Sequence, residues 1–106
     1  MADQVSVSHI LLMYEGSERS TATRSKDDAL TQIGDIKSKL VDGGDFAALA
    51  TEHSDCPSGR EGGDLGTFPR GAMVPEFDAA AFGLDVGADS DVVETAFGYH
   101  LIRRTG

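Results

Sequence analysis

Two imidazoles and one thiol are the side chains of this chain best suited to chemistry. His9 lies in Val5-Ser-Val-Ser-His-Ile-Leu-Leu and His100 in Gly98-Tyr-His-Leu-Ile, both short apolar runs of strand character. The single cysteine stands between them in Ser54-Asp-Cys-Pro-Ser, followed by the glycine-dense Gly62-Gly-Asp-Leu-Gly-Thr-Phe. An imidazole amid strand apolars is either a hydrogen-bonded core group or part of a site. If the two strands pair, His9, Cys56 and His100 converge on one surface. Thiol and imidazole could then serve as nucleophile and base. Two neutral imidazoles could equally share a hydrogen-bond chain with a hydroxyl. His9, His53, Cys56 and His100 have the ligand types of a zinc site, but their spacing matches no compact metal motif, so no metal is expected.

The elements that must carry these groups can be read from patterning. Val5 to Met13 alternates Ser6 and Ser8 with Val7 and His9, a strand with two unlike faces. Tyr14 to Ser25 is a polar loop. Ser25 suits a helix N-cap, with Asp28 three residues on, and Ala29, Ile33, Ile36 and Leu40 then form one helical stripe ended by Gly43-Gly44. Asp45 suits a second N-cap, ahead of Phe46, Leu49, Ala50 and His53 on one face, which turns His53 toward the core. Cys56 to Gly66 holds Pro57 and several glycines and is expected to be irregular apart from one helical turn. Leu65 to Phe68 reads as a short strand, Pro69 to Gly71 as a turn, and a helix starts at Pro75 and runs to Leu84. Ser90 to Glu94 and Tyr99 to Arg104 read as strands joined through Ala96-Phe-Gly98.

At 106 residues the chain is expected to form one domain, residues 1–106, because two separate cores would be too small. A net charge of −9 disfavours phosphate-backbone binding, so nucleic acid is not an expected partner, and self-repulsion favours a monomer. No apolar run approaches a membrane span and no signal-peptide pattern is present. With one cysteine, a reducing, cytoplasmic setting is the simplest expectation. Arg103 and Arg104 are read as a solvated end.

The chain closely resembles the parvulin family of peptidyl-prolyl cis/trans isomerases. The resemblance is carried by Ser8-His-Ile-Leu, Asp45-Phe-Ala-Ala-Leu-Ala, Ser54-Asp-Cys-Pro-Ser, Gly62-Gly-Asp-Leu-Gly, Arg70-Gly-Ala-Met, Pro75-Glu-Phe-Asp-Ala-Ala-Ala-Phe and Phe97-Gly-Tyr-His-Leu-Ile, in family order and spacing. It implies an α+β, FKBP-like fold: a four-stranded antiparallel sheet surrounded by about four helices, with the terminal strands adjacent at its centre. It also implies rotation about X-Pro bonds in proline-containing peptides and protein clients, without a cofactor.

By the same resemblance Leu65, Met73 and Phe77 form a proline pocket, with Phe97 closing its wall. His9 and His100 match the family's paired histidines, and Thr95 matches the hydroxyl residue beside them. Cys56 is expected to be a polarisable neighbour of the amide rather than a nucleophile, since isomerisation needs no adduct. Asp55 is read as a local cap before Cys56. Arg19 and Arg24 are the cations available to the residue before proline or to a phosphate on it. Glu15 and Glu18 stand beside them, the loop is shorter than in strictly phosphate-dependent parvulins, and no tryptophan-containing phosphopeptide module is present, so phosphate is expected to matter little. Two other classes remain at this level: a non-catalytic proline-peptide or chaperone domain, and a thiol hydrolase built on Cys56.

Overall fold

A computed structural model describes residues 4–17, 20 and 22–106. In chain order these form β1 (Gln4–Leu12), α1 (Lys26–Val41), α2 (Phe46–His53), a short 3-10 helix (Pro57–Glu61), β2 (Asp64–Pro69), α3 (Pro75–Phe82), β3 (Val93–Thr95) and β4 (Gly98–Arg104). The strands make one antiparallel sheet in the order β2-β1-β4-β3, so β1 and β4 lie side by side at its centre. Three α-helices stand where about four helices were expected; the 3-10 helix is the single turn anticipated after Cys56.

Local chemistry accounts for the helix starts. The Ser25 hydroxyl accepts from the Asp28 N–H at 3.1 Å, and the Asp45 carboxylate accepts from the Ala47 N–H at 3.1 Å, each satisfying a donor that the first turn leaves free. Ala29, Ile33, Ile36 and Leu40 are all buried, as their spacing requires. α3 stops at Phe82, short of Leu84: Gly83 is its C-cap, and the Leu84 N–H turns to Ala81 O, three residues back, instead of continuing the α-helical pattern.

Strand alternation then sorts the core onto two faces of the sheet. Ile10, Leu12, Tyr99 and Leu101 pack against α1 and α2. Val5, Val7 and Ile102 face the other way and meet Phe68, Phe77 and Ala81. His9 and His100 belong to this second face by parity, since His9 lies opposite Ile102 and His100 opposite Leu11. A rigid central ladder therefore fixes both imidazole backbones.

Two departures from the patterned expectation have clear causes. β3 begins at Val93 rather than Ser90. The Ser90 hydroxyl accepts from Ile102 N–H in place of its own carbonyl, which receives Lys37 Nζ, and this interrupts the ladder. On the other side, β2 pairs with β1 only as far as Ser8, with a register break between Val7 and Ser8. Beyond the break, the His9 N–H donates to Gly63 O at 2.9 Å. Gly63 has φ +85, and a Cβ there would sit 2.3 Å from His9 O, so only glycine fits this approach.

Candidate active site

On the α3 face, the sheet and its flanking loops enclose a cavity of about 350 Å³. Leu65 enters from β2, Met73 and Val74 from the segment before α3, Phe77 from its first turn, and Phe97 from the β3–β4 connection. Leu11, Met13, Cys56, His9 and His100 complete the lining. The four residues expected to hold proline thus border one cavity, with the thiol and both imidazoles. Leu11, Met13 and Val74 join them unannounced. For Leu11 and Met13 the signal was present, since both share the parity of His9.

His9 and His100 are each 4% exposed, and their Nδ1 atoms lie 3.2 Å apart. Their rings stack at 5.4 Å between centroids, and Phe77 meets both edge-on at 5.6 and 5.4 Å. Thr95 does not line the cavity. It stands behind His100, with Oγ1 2.7 Å from Nε2, and accepts from the Phe97 N–H at 3.2 Å. Burial pushes the His9 pKa down to about 4; burial, then the neighbouring His9, push that of His100 down to about 3. Both rings are neutral at pH 7.

With both rings neutral, the arrangement that leaves no hydroxyl hydrogen unpaired assigns the protons. Thr95 Oγ1 already accepts from Phe97 N–H, and its own hydrogen has no acceptor but His100 Nε2 among the described residues. His100 Nε2 is therefore the acceptor and its Nδ1 carries the proton, which it donates to His9 Nδ1. That leaves the proton of His9 on Nε2, a buried atom without a partner among the described residues. The chain runs from Thr95 through His100 to His9 and orders one wall of the cavity.

Cys56 is half-buried, and its Sγ accepts a hydrogen bond from the Ser58 hydroxyl at 3.1 Å. The partner of the thiol is a hydroxyl rather than an imidazole base. Asp55 is not the local cap it was expected to be; its carboxylate accepts from the Met13 N–H at 2.9 Å and from Arg24 Nη1. Arg24 also donates to Met13 O at 2.8 Å, so it lies beside the cavity mouth but is already engaged. Arg19 lies outside the described residues. His53 is half-buried against α1, beside Ile36 and Lys39, and takes no part in the cavity.

Residues 9–106 match the rotamase family, described as the PPIC-type PPIase domain. The chain belongs to that family of peptidyl-prolyl cis-trans isomerases. It is 40% identical to the peptidyl-prolyl cis-trans isomerase Pin1 of Digitalis lanata, over 99% of this chain and 98% of that protein. It is 44% identical to ESS1 of Saccharomyces cerevisiae, over 92% of this chain and 63% of that one. The solved structure of Candida albicans ESS1 superposes with a TM-score of 0.95 at 36% identity, covering 98% of this chain and 63% of that chain. The isomerase therefore spans nearly the whole of the plant relative and under two thirds of the two fungal ones. The four-stranded antiparallel sheet of the isomerase is the architecture its resemblance to parvulins implied. No helix among its described residues is long and apolar enough to cross a membrane.

Proposed function

We propose that the cavity binds the proline ring of an X-Pro segment and that rotation proceeds without a covalent intermediate. The observation that carries this reading is the meeting of Leu65, Met73, Phe77 and Phe97 around one space of about 350 Å³, with Cys56 and the imidazoles on its border. Amide resonance sets a barrier of about 18–20 kcal/mol. Lowering it requires only that the site bind the twisted amide better than either planar isomer. Leu65, Met73, Phe77 and Phe97 grip the ring from apolar sides, so that rotation is confined to the carbonyl half. His9, His100 and Thr95 hold the wall rigid, and Cys56 offers the amide a polarisable sulfur. No cofactor is needed for this chemistry.

The thiol's engagement with Ser58 rather than with an imidazole favours this role over nucleophilic attack. We further propose that phosphate before the proline is not required. Arg24, a cation beside the cavity mouth, is held by Asp55 and by Met13 O, and Met13 itself brings a thioether to that position. The chain is read as one catalytic unit that works as a monomer on proline-containing peptides and protein clients in the cytoplasm. The accessible surface of the thiol suits a reducing compartment.

A protease-coupled exchange assay on Ala-Pro, Glu-Pro, Ser-Pro and phosphoserine-Pro peptides tests the reading. All four should be accelerated, with the phosphopeptide within a few-fold of the rest. Absence of acceleration at micromolar protein would point to a binding domain, and a large phosphopeptide advantage would overturn phosphate independence. Cys56→Ala should lower turnover without abolishing it, and mass spectra of quenched reactions should show no adduct in either protein.

A further inference from the structure

The edge of β1 that faces β2 loses its strand partner after Ser8, yet the N–H groups of His9, Leu11 and Met13 along it are each met. Past Gly63 O, the partners come from the two residues immediately before Cys56. The Leu11 N–H donates to Ser54 Oγ at 3.1 Å, Leu11 O accepts from the Asp55 N–H at 2.7 Å, and the Met13 N–H donates to the Asp55 carboxylate at 2.9 Å. Ser54 and Asp55 thus act as a substitute strand that uses two side chains where a ladder uses backbone. Cys56 is attached to the sheet through them.

One guanidinium closes this arrangement. Arg24 Nη1 donates to the Asp55 carboxylate and to Met13 O, while the Arg24 carbonyl accepts from the Glu15 N–H at 2.8 Å. The same residue therefore pins the neck of the loop after β1, the end of β1, and the segment that carries Cys56. Met13 and Cys56 both line the cavity, on opposite ends of that clamp. The pair is only partly exposed, at 26% and 28% of the two side chains, so solvent screens it incompletely.

We propose that Arg24 is a positioning residue of the isomerase: acting through Asp55, it fixes the spacing of Met13 and Cys56 across the cavity mouth. It does not touch substrate. Its effect is on how much of the time the two lining groups stand where the twisted amide needs them, and small misplacements of such groups can cost up to about a hundredfold in rate. This inference rests on the reading of the cavity as the proline slot.

The test is a double-mutant cycle with a structural readout. Arg24→Ala and Asp55→Asn should each lower kcat/KM on an Ala-Pro peptide about tenfold, and the double variant should be no worse than the more impaired single one. Arg24→Lys, which keeps a cation within reach of Asp55, should recover most of the loss. Alkylation of Cys56 by iodoacetamide should accelerate severalfold in Arg24→Ala and Asp55→Asn, because the segment is no longer held. Losses that multiply in the double variant, kcat/KM within twofold of wild type in both single variants, or unchanged alkylation would each overturn the inference. If Arg24→Ala does not fold, Asp55→Asn and Arg24→Lys supply the same comparison. Met73→Ala run alongside separates the two readings: normal turnover there breaks the proline-slot assignment, whereas an impaired Met73→Ala beside a fully active Arg24→Ala breaks only the clamp.

Discussion

Acidification is the perturbation that the buried imidazoles make most informative. In the unfolded chain His9 and His100 titrate near 6.5, whereas in the fold burial holds them at about 4 and about 3. Between those values the unfolded state binds more protons, so stability rises with pH: it is fully present above about 6.5 and is lost as pH falls toward about 4. At pH 5.5 each unfolded imidazole is about nine-tenths protonated, which removes about 1.4 kcal/mol per histidine and about 3 for the pair. By pH 4.5 the loss reaches about 5 kcal/mol, comparable to the whole stability of many small domains. Urea unfolding followed by circular dichroism at pH 7.5, 6.5 and 5.5 should show this decline as a falling midpoint at constant slope. Imidazole NMR should show both rings neutral in the folded protein down to pH 5. A ring of the pair protonating near pH 6.5 in the folded state, or stability constant within about 1 kcal/mol from pH 7.5 to 5.5, would refute the burial argument.

Other expectations concern single residues. Met73→Ala should reduce kcat/KM about five- to tenfold, mainly through KM, with a small change in melting temperature, because Met73 is only partly buried against the core. Thr95→Val should cost about 1–3 kcal/mol in urea unfolding, since it strands His100 Nε2 without its donor at a site only 5% exposed. Gly63→Ala should cost at least about 2 kcal/mol by the same measurement, as its Cβ would press on His9 O from a left-handed backbone. His9→Ala and His100→Ala should each lower stability as well as turnover; loss of turnover at unchanged stability would give the pair a direct part in the reaction.

Groups that act through local rules were legible from sequence, and groups that act across the fold were not. Ser25 and Asp45 announced their helices because an N-cap works within its own first turn. The pairing of His9 with His100 followed once their strands were taken as neighbours, and the meeting of Leu65, Met73, Phe77 and Phe97 around one cavity followed from the family resemblance rather than from periodicity. Asp55 was misread because its partners, Met13 and Arg24, lie more than thirty residues away in sequence, and nothing local distinguishes that carboxylate from a turn cap. The start of β3 was hidden for a similar reason, the Ser90 hydroxyl taking the place of a carbonyl that Lys37 withdraws. Arg103 looked like a solvated end, yet it forms a two-pronged pair with Asp89 and covers the ring of Phe46. His53 shares the apolar face of α2 by spacing, but that face turns its last residue to the margin of α1 rather than into the core.

The central pairing of β1 with β4 sets the order in which this molecule can come into being. His9 and His100 are 91 residues apart, so the wall of the cavity waits on contacts between the two ends of the chain. At synthesis rates of about 5–20 residues per second, β1 is exposed for about 5–18 seconds before β4 has been made. Until then the edge of β1 that β4 will cover stays open, a form prone to pair with another chain, in the nascent protein. Topology of this kind also slows folding, because loop closure must precede the contact that rewards it. An isomerase of this family thus completes the wall of its cavity only after its last strand has been made.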